Sequence, residues 1–262
     1  MFRKRACLLS VGLLCLAFAG VYLWAADVPT AQEKRDQANK AVKDGNYKNA
    51  YDALRALALD PKDDADKVGA DLTTALNCLR NLGRVDEIDD FREAVITAHA
   101  KNWRLLQTAA ESFTSNEWYG YMVAGKFYRG NKRGGGKWVY TVHRDRARAL
   151  QLMQQAMPQA AGDQNKADAA SFFMTFGRLI LNGTRSHEAW RLQSLTDLGK
   201  LPDYEDGYTD GGNRSGAPVD DQGKPVYHRV PKSYEAAASD GERWRWMLVQ
   251  AIELEASRAC SP

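Results

Sequence analysis

Apolar residues recur at helical spacing along most of the chain, and glycine or proline interrupts them at intervals that suit helical hairpins. Residues 44–61 show the unit plainly. Gly45 ends one helix and Asn46 opens the next, Ala50, Leu54 and Leu57 mark one face, and Pro61 stops it. The preceding segment, 30–43, predicts a helix capped by Thr30, with Ala38, Ala41 and Val42 on its inner face. Its partner covers 47–59, and the charged run 62–66 predicts a solvated linker. Helices are then expected over 71–82 and 85–98. Gly45, Ala50 and Leu57 recur as Gly83, Ile88 and Val95 at a constant offset of 38 residues. A constant offset at three positions predicts an internal repeat. A further helix is predicted over 102–113.

Hairpins of this kind resemble tetratricopeptide units, whose small residues let two antiparallel helices approach closely. From Trp118 the pattern becomes Gly125-x-x-Tyr128-x-Gly130. Val142, Asp145, Arg148, Ala149 and Ala156 follow after an insertion. This resembles a Sel1-like repeat, in which the glycines permit close helix crossing and Asp145 caps the second helix. A partial second copy runs through Gly177, Ile180 and Gly183 to a helix over 186–198 carrying Ala189, Trp190, Leu192 and Leu195. The expected fold is all-α, a tetratricopeptide/Sel1-like solenoid with a concave face. The stretch 201–232, rich in Gly, Pro and Asp, predicts an irregular loop with a short hairpin over 218–229 turning at Gly223. Ser239, Asp240 and Glu242 open a closing helix with Trp244, Leu248, Ala251 and Glu255 on one face, beside Met247 and Ile252.

The first residues change the cellular address. Arg3, Lys4 and Arg5 precede 21 uncharged residues, 6–26. A basic start and an apolar run form an export signal, yet the run also reaches the ~20 residues that span a bilayer. Trp24 falls where cleavage after Ala26 wants a small residue, and Leu14 before Cys15 disfavours a lipoprotein signal. Both a cleaved leader and an uncleaved inner-membrane anchor remain open; either exports the body to the periplasmic side. The segments expected are a leader over 1–26, helical repeats over 27–200, an irregular region over 201–238, and a helix and tail over 239–262.

Charge removes some functions. Without Arg3, Lys4 and Arg5 the 36 basic residues fall to 33, matching the 33 acidic ones, so no global field favours nucleic acid. Cys7 and Cys15 lie in the leader, Cys260 at the end, and Cys78 on an apolar helical face that predicts a buried thiol. No Cys or His pair has zinc spacing. In the loop 129–138, Asn131 stands at the first glycine position of a phosphate loop and Trp138 replaces its Ser or Thr. Lys132, Arg133, Lys137, His143, Arg144 and Arg146 are expected as a solvated basic insertion. His99, His143, His187 and His228 are dispersed, and no Gly-x-Ser-x-Gly elbow occurs. Trp118, Tyr119 and Tyr121, or Trp244 and Trp246, could form a binding platform, but aromatics at helical spacing are expected in the core. No catalytic, cofactor or metal residue is assigned.

The stretches 68–91, 101–113 and 234–246, with the loop around Arg133, are similar to the N-terminal helical region of large exported bacterial alpha-2-macroglobulin-like proteins. That family traps proteases through sandwich domains and a bait segment, some members adding a thioester. Cys78 precedes Leu79-Arg80-Asn81 and Cys260 precedes Ser261-Pro262, so the family's Cys with nearby Glu-Gln is missing, and no trapping residue carries over. The resemblance implies a truncated or stand-alone relative. The expected function is an exported, non-catalytic protein–protein interaction module that contacts another envelope protein through its concave face. The alternatives are an envelope enzyme acting on glycans, with Asp203 or Asp220 as a carboxylate, and a non-functional fragment.

Overall fold

The computed structural model describes residues 29–115, 117–181, 191–206 and 219–259. The molecule is mostly helical, with a small antiparallel sheet. The apolar run 6–26, Cys7, Cys15, Cys260, Gly183, His187, Ala189 and Trp190 lie outside the described residues. No helix among those described is long and apolar enough to cross a membrane.

Helix α1 (Ala31–Lys43) opens with a capping box. The Glu33 N–H donates to the Thr30 hydroxyl (3.2 Å) and the Thr30 N–H to the Glu33 carboxylate (2.7 Å), satisfying two end amides. Helices α2 (Tyr47–Ala58) and α3 (Val68–Asn81) follow, then a 3-10 turn (Val85–Glu87), α4 (Ile88–Ala98) and α5 (Trp103–Thr114). Two of the turns are alike. The Gly45 and Asn46 N–H groups donate back to the Val42 and Ala41 carbonyls, and those of Gly83 and Arg84 to Arg80 and Leu79. Both glycines are left-handed, at φ +76° and +69°. Each turn is a Schellman stop, and the two sit 38 residues apart. Ala50, Leu57, Ile88 and Val95 are all buried.

The core is continuous. Leu54, Leu72, Leu76 and Leu79 fill its first part. An aromatic chain fills the second: Trp103, Phe172, Phe173 and Trp246 meet edge-to-face. Such contacts each add ~0.5–1.5 kcal/mol beyond burial. Cys78 is buried there as expected, and burial pushes its thiol up. The linker 62–66 is not wholly solvated. Asp63 and Asp71 close on Arg35, whose guanidinium is buried on α1. Ala41 and Val42 are half-buried beside it.

Helix α5 packs on α6 (Val142–Ala161), α6 on α7 (Lys166–Leu181), and α7 closely on α8 (Asp240–Ala259). Gly177 admits the last approach, since a Cβ there would sit 3.3 Å from the Trp244 ring. On α8, Met247 and Ala251 face inward, while Ile252 and Glu255, expected at or beside the inner face, are exposed. Of the helix expected over 186–198, residues 186–190 lie outside the described set, 191–193 make a 3-10 turn and 194–198 are not helical. The hairpin expected over 218–229 is a single bridge between Val219 and Pro225, with Gly223 left-handed in its turn.

The main correction concerns 118–140. Instead of a Sel1-like helix, the chain forms β1 (Tyr119–Val123), β2 (Lys126–Arg129) and β3 (Lys137–Tyr140). A two-residue β4 (Glu205–Asp206) completes an antiparallel sheet in the order β2-β1-β3-β4. The two glycines read here as crossing points have other duties: Gly125 closes a hairpin and Gly130 is left-handed at a strand end. A Cβ on Gly120 would collide with the Tyr128 carbonyl and the Phe127 ring. Ala124 and Gly125 have φ +48° and +81°, the pair of positive values that a type I′ hairpin turn requires. The fold is therefore not all-α.

Candidate functional site

Strand pleat decides what the sheet shows on each side, because successive side chains point to opposite faces. In the register, Tyr119 stands opposite Tyr140, and Tyr121 opposite both Tyr128 and Trp138. Val123 stands opposite Lys126. One face therefore carries Tyr119, Tyr121, Tyr128, Trp138 and Tyr140. Trp118, 48% exposed, extends this face by stacking on Tyr140 with ring centres 5.0 Å apart. Tyr119, Tyr121, Tyr128 and Trp138 are half-buried. Their planes are mixed: Trp118 meets Tyr119 at 68°, Tyr119 meets Trp138 at 39°, and Trp138 meets Tyr140 at 70°. Rings at such angles make ridges and clefts.

The other face carries Gly120, Phe127, Arg129 and Val139, and Arg129 ties it to the helices. The Arg129 side chain is 3% exposed. Its guanidinium donates twice to Asp145 on α6 (both 2.8 Å), and its Nε to Asp89 on α4 (2.9 and 3.0 Å). It also donates to the Glu117 carbonyl and the Thr141 hydroxyl. Burial alone would lower the Arg129 pKa, but Asp145 and Asp89 outweigh it and raise it. Asp145 was expected to cap α6; it accepts instead from Arg129 and from the Thr141 hydroxyl (2.6 Å). Next to it Arg92, fully buried, pairs with Asp89 and lays its guanidinium 3.3 Å from the centre of the Phe113 ring. Burial pushes Arg92 down to about 10, against the pull of Asp89.

The structure thus brings together Trp118, Tyr119 and Tyr121, which helical spacing assigned to the core. Trp244 and Trp246 do pack against the core. The six basic residues of the insertion separate. Lys132 reaches over the Tyr128 ring (4.0 Å) and toward Asp86 (3.4 Å), and Lys126 approaches the same ring at 5.3 Å. Arg133 and Lys137 are exposed near them. His143 faces Glu205 at 3.5 Å, Arg144 donates to the Pro202 carbonyl, and Arg146 is held by Asp240 and the Ile180 carbonyl. Arg129 and Asp89 escaped the sequence reading, because nothing local marks a pair 40 residues apart.

Asp203 and Asp220, the carboxylates of the hydrolytic alternative, lie apart from the sheet face in the irregular region. Asp220 accepts the N–H groups of Gln222 and Lys224 in its own turn, and Asp203 is exposed. His99 is buried against the Ala58 carbonyl (3.1 Å). His228 lies against Gly241 at the start of α8. Among the described residues no cluster of three His, Cys, Asp or Glu side chains could hold a metal ion. A separate cleft of about 670 Å³ is lined by Glu111, Thr114, Arg178 and Leu181. No protein-family model, curated protein or solved structure matches the chain.

Proposed function

We propose that the chain is a non-catalytic protein–protein interaction module, a tetratricopeptide-like helical array that presents an aromatic sheet face to another envelope protein. The observation that carries this reading is the face itself. Half-exposed Tyr and Trp side chains supply large contact area at low conformational cost, and these residue types dominate interface hot spots. Half-exposed rings on a sheet bolted down by a buried Arg129 cluster are also pre-organised, which lowers the entropy lost on binding. The repeat reading draws support from the two Schellman turns 38 residues apart and from the packing of successive helices. The leader pattern supports export, with the body periplasmic or anchored to the inner membrane through 6–26. The resemblance to the leading region of alpha-2-macroglobulin-like proteins agrees with an extracytoplasmic partner.

Site-specific photo-crosslinking in the native cells tests the assignment. A photoreactive amino acid at Tyr121 or Trp138 is expected to give one discrete protein adduct, identified by mass spectrometry. The same group at exposed Ile252 on α8 should give none. Adducts from position 252 and none from the sheet would refute the sheet as the contact surface.

A further inference from the structure

We infer that the occupant of the aromatic face is an extended, acidic, proline-containing segment in the polyproline II conformation. This rests on the interaction reading above and gives the partner a chemistry. Three observations lead there.

The first is spacing. Tyr128, Tyr121 and Trp138 lie directly across three adjacent strands. Strands in a sheet are ~4.8 Å apart, so this row is roughly 9.6 Å long. A polyproline II turn takes three residues at ~3.1 Å each, roughly 9.3 Å. Side chains at i and i+3 of such a segment, laid across the strands, therefore meet the two ends of the row, with Tyr121 under the turn between them.

The second is charge. Lys126 and Lys132 converge on the Tyr128 end of the row, at 5.3 and 4.0 Å from its ring centre. Arg133 is exposed on the adjoining loop. Asp86 meets Lys132 alone, and at 3.4 Å. The Tyr128 end thus suits a carboxylate at i. The Trp138 end, bordered by Tyr119 and Tyr140, suits a proline ring at i+3.

The third is relief. A sugar needs an open, flat ring face; apart from the Trp118–Tyr140 stack, Tyr119 and Tyr140 lie at 39° and 70° to Trp138, so the Trp138 end is ridged. Ridged aromatic grooves are how proline-rich segments are gripped, because the ligand is already extended and loses little entropy.

The test is fluorescence polarisation with the full-length chain in detergent micelles. The probe is a labelled peptide of three Glu-Pro-Pro-Pro repeats. Its comparators are three Lys-Pro-Pro-Pro repeats, three Glu-Gly-Ser-Gly repeats and an oligogalacturonate. The acidic proline peptide is expected to bind saturably, with affinity that falls as salt is raised. The basic and proline-free peptides should be weaker by about tenfold or more. Tyr121→Ser and Trp138→Ser should each weaken it by about tenfold, and Lys126→Glu by about fivefold. Should Trp138→Ser prove unfolded by circular dichroism, Tyr121→Ser and Lys126→Glu carry the test. Equal binding of the proline-free peptide would overturn the inference in favour of charge alone. Saturable binding of only the oligogalacturonate would overturn it in favour of a glycan, and no saturation by roughly 1 mM would overturn it outright. An adduct at Tyr121 with no affinity for the peptide would sink the proline segment and leave the interaction module standing. Loss of both would sink the two together.

Discussion

Replacing Arg129 by methionine removes a buried cation and keeps most of its stem. The guanidinium, 3% exposed, holds Asp145 through two 2.8 Å bonds and Asp89 through its Nε. Asp145, itself 10% exposed, would keep the Thr141 hydroxyl and lose its counter-charge. Breaking a buried pair from one side costs ~3–5 kcal/mol, most of it the unpaired charge left behind. For a chain of this size that lowers Tm by roughly 6–20 °C. Urea unfolding followed at 222 nm supplies the free energy, and near-ultraviolet circular dichroism reports the aromatic sheet. The decisive comparison is the double variant Arg129→Met with Asp145→Leu, which removes both charges. It should cost less than Arg129→Met alone by about 2 kcal/mol, because a matched apolar replacement of an ion pair is often close to neutral. A single-variant loss below ~1 kcal/mol, or simple additivity in the double variant, would refute the reasoning, since either means that the pair is solvated or uncoupled.

Other outcomes follow from backbone and titration. Gly45→Ala and Gly83→Ala should each lower stability by about 1 kcal/mol, and additively; neither added Cβ meets anything within 4 Å, so only the left-handed strain is felt, and urea midpoints read it. Ala124→Gly should raise stability by ~0.5–1 kcal/mol, because Ala124 is the one non-glycine at positive φ among the described residues. Burial, with help from Arg245 and against Glu242, lowers the His228 pKa. The unfolded chain therefore binds this proton more readily. The stabilisation from neutral His228 is full above its unfolded pKa of ~6.5 and lost as pH falls through the lower folded value. Differential scanning fluorimetry between pH 7.5 and 5 should show a decline that His228→Leu flattens, and parallel curves would contradict it.

What the sequence disclosed depended on the range of the cause. Gly45 and Gly83 stop helices through their own neighbours, so the hairpins around them were legible. Residues 118–128 satisfy two periods at once. Trp118, Tyr121, Gly125 and Tyr128 fit one helical stripe, while Tyr119, Tyr121 and Val123 alternate as a strand. Ala124-Gly125 breaks the tie by turning left-handed, a choice that Ala does not advertise. The site is half legible for the same reason: its aromatics stand out in the sequence, but their helical spacing points to a core. Arg129 and Arg35 were invisible because their partners lie 16 to 40 residues away and meet only once helices have packed. The all-α expectation therefore holds only as a mostly helical fold, and the sheet it lacks is the part that carries the aromatic face.

The place of the sheet in the chain separates two kinds of change. Strands β1 to β3 are spliced between α5 and α6, which pack on one another. Lengthening an excursion between ends already held together costs only ~0.6 kcal/mol per doubling. The turns at Ala124 and across 130–136 can thus lengthen, shorten or change charge while the helices keep their order. The turns and the outward side of the sheet are thus free to vary faster than Arg129 and the helical framework it ties together.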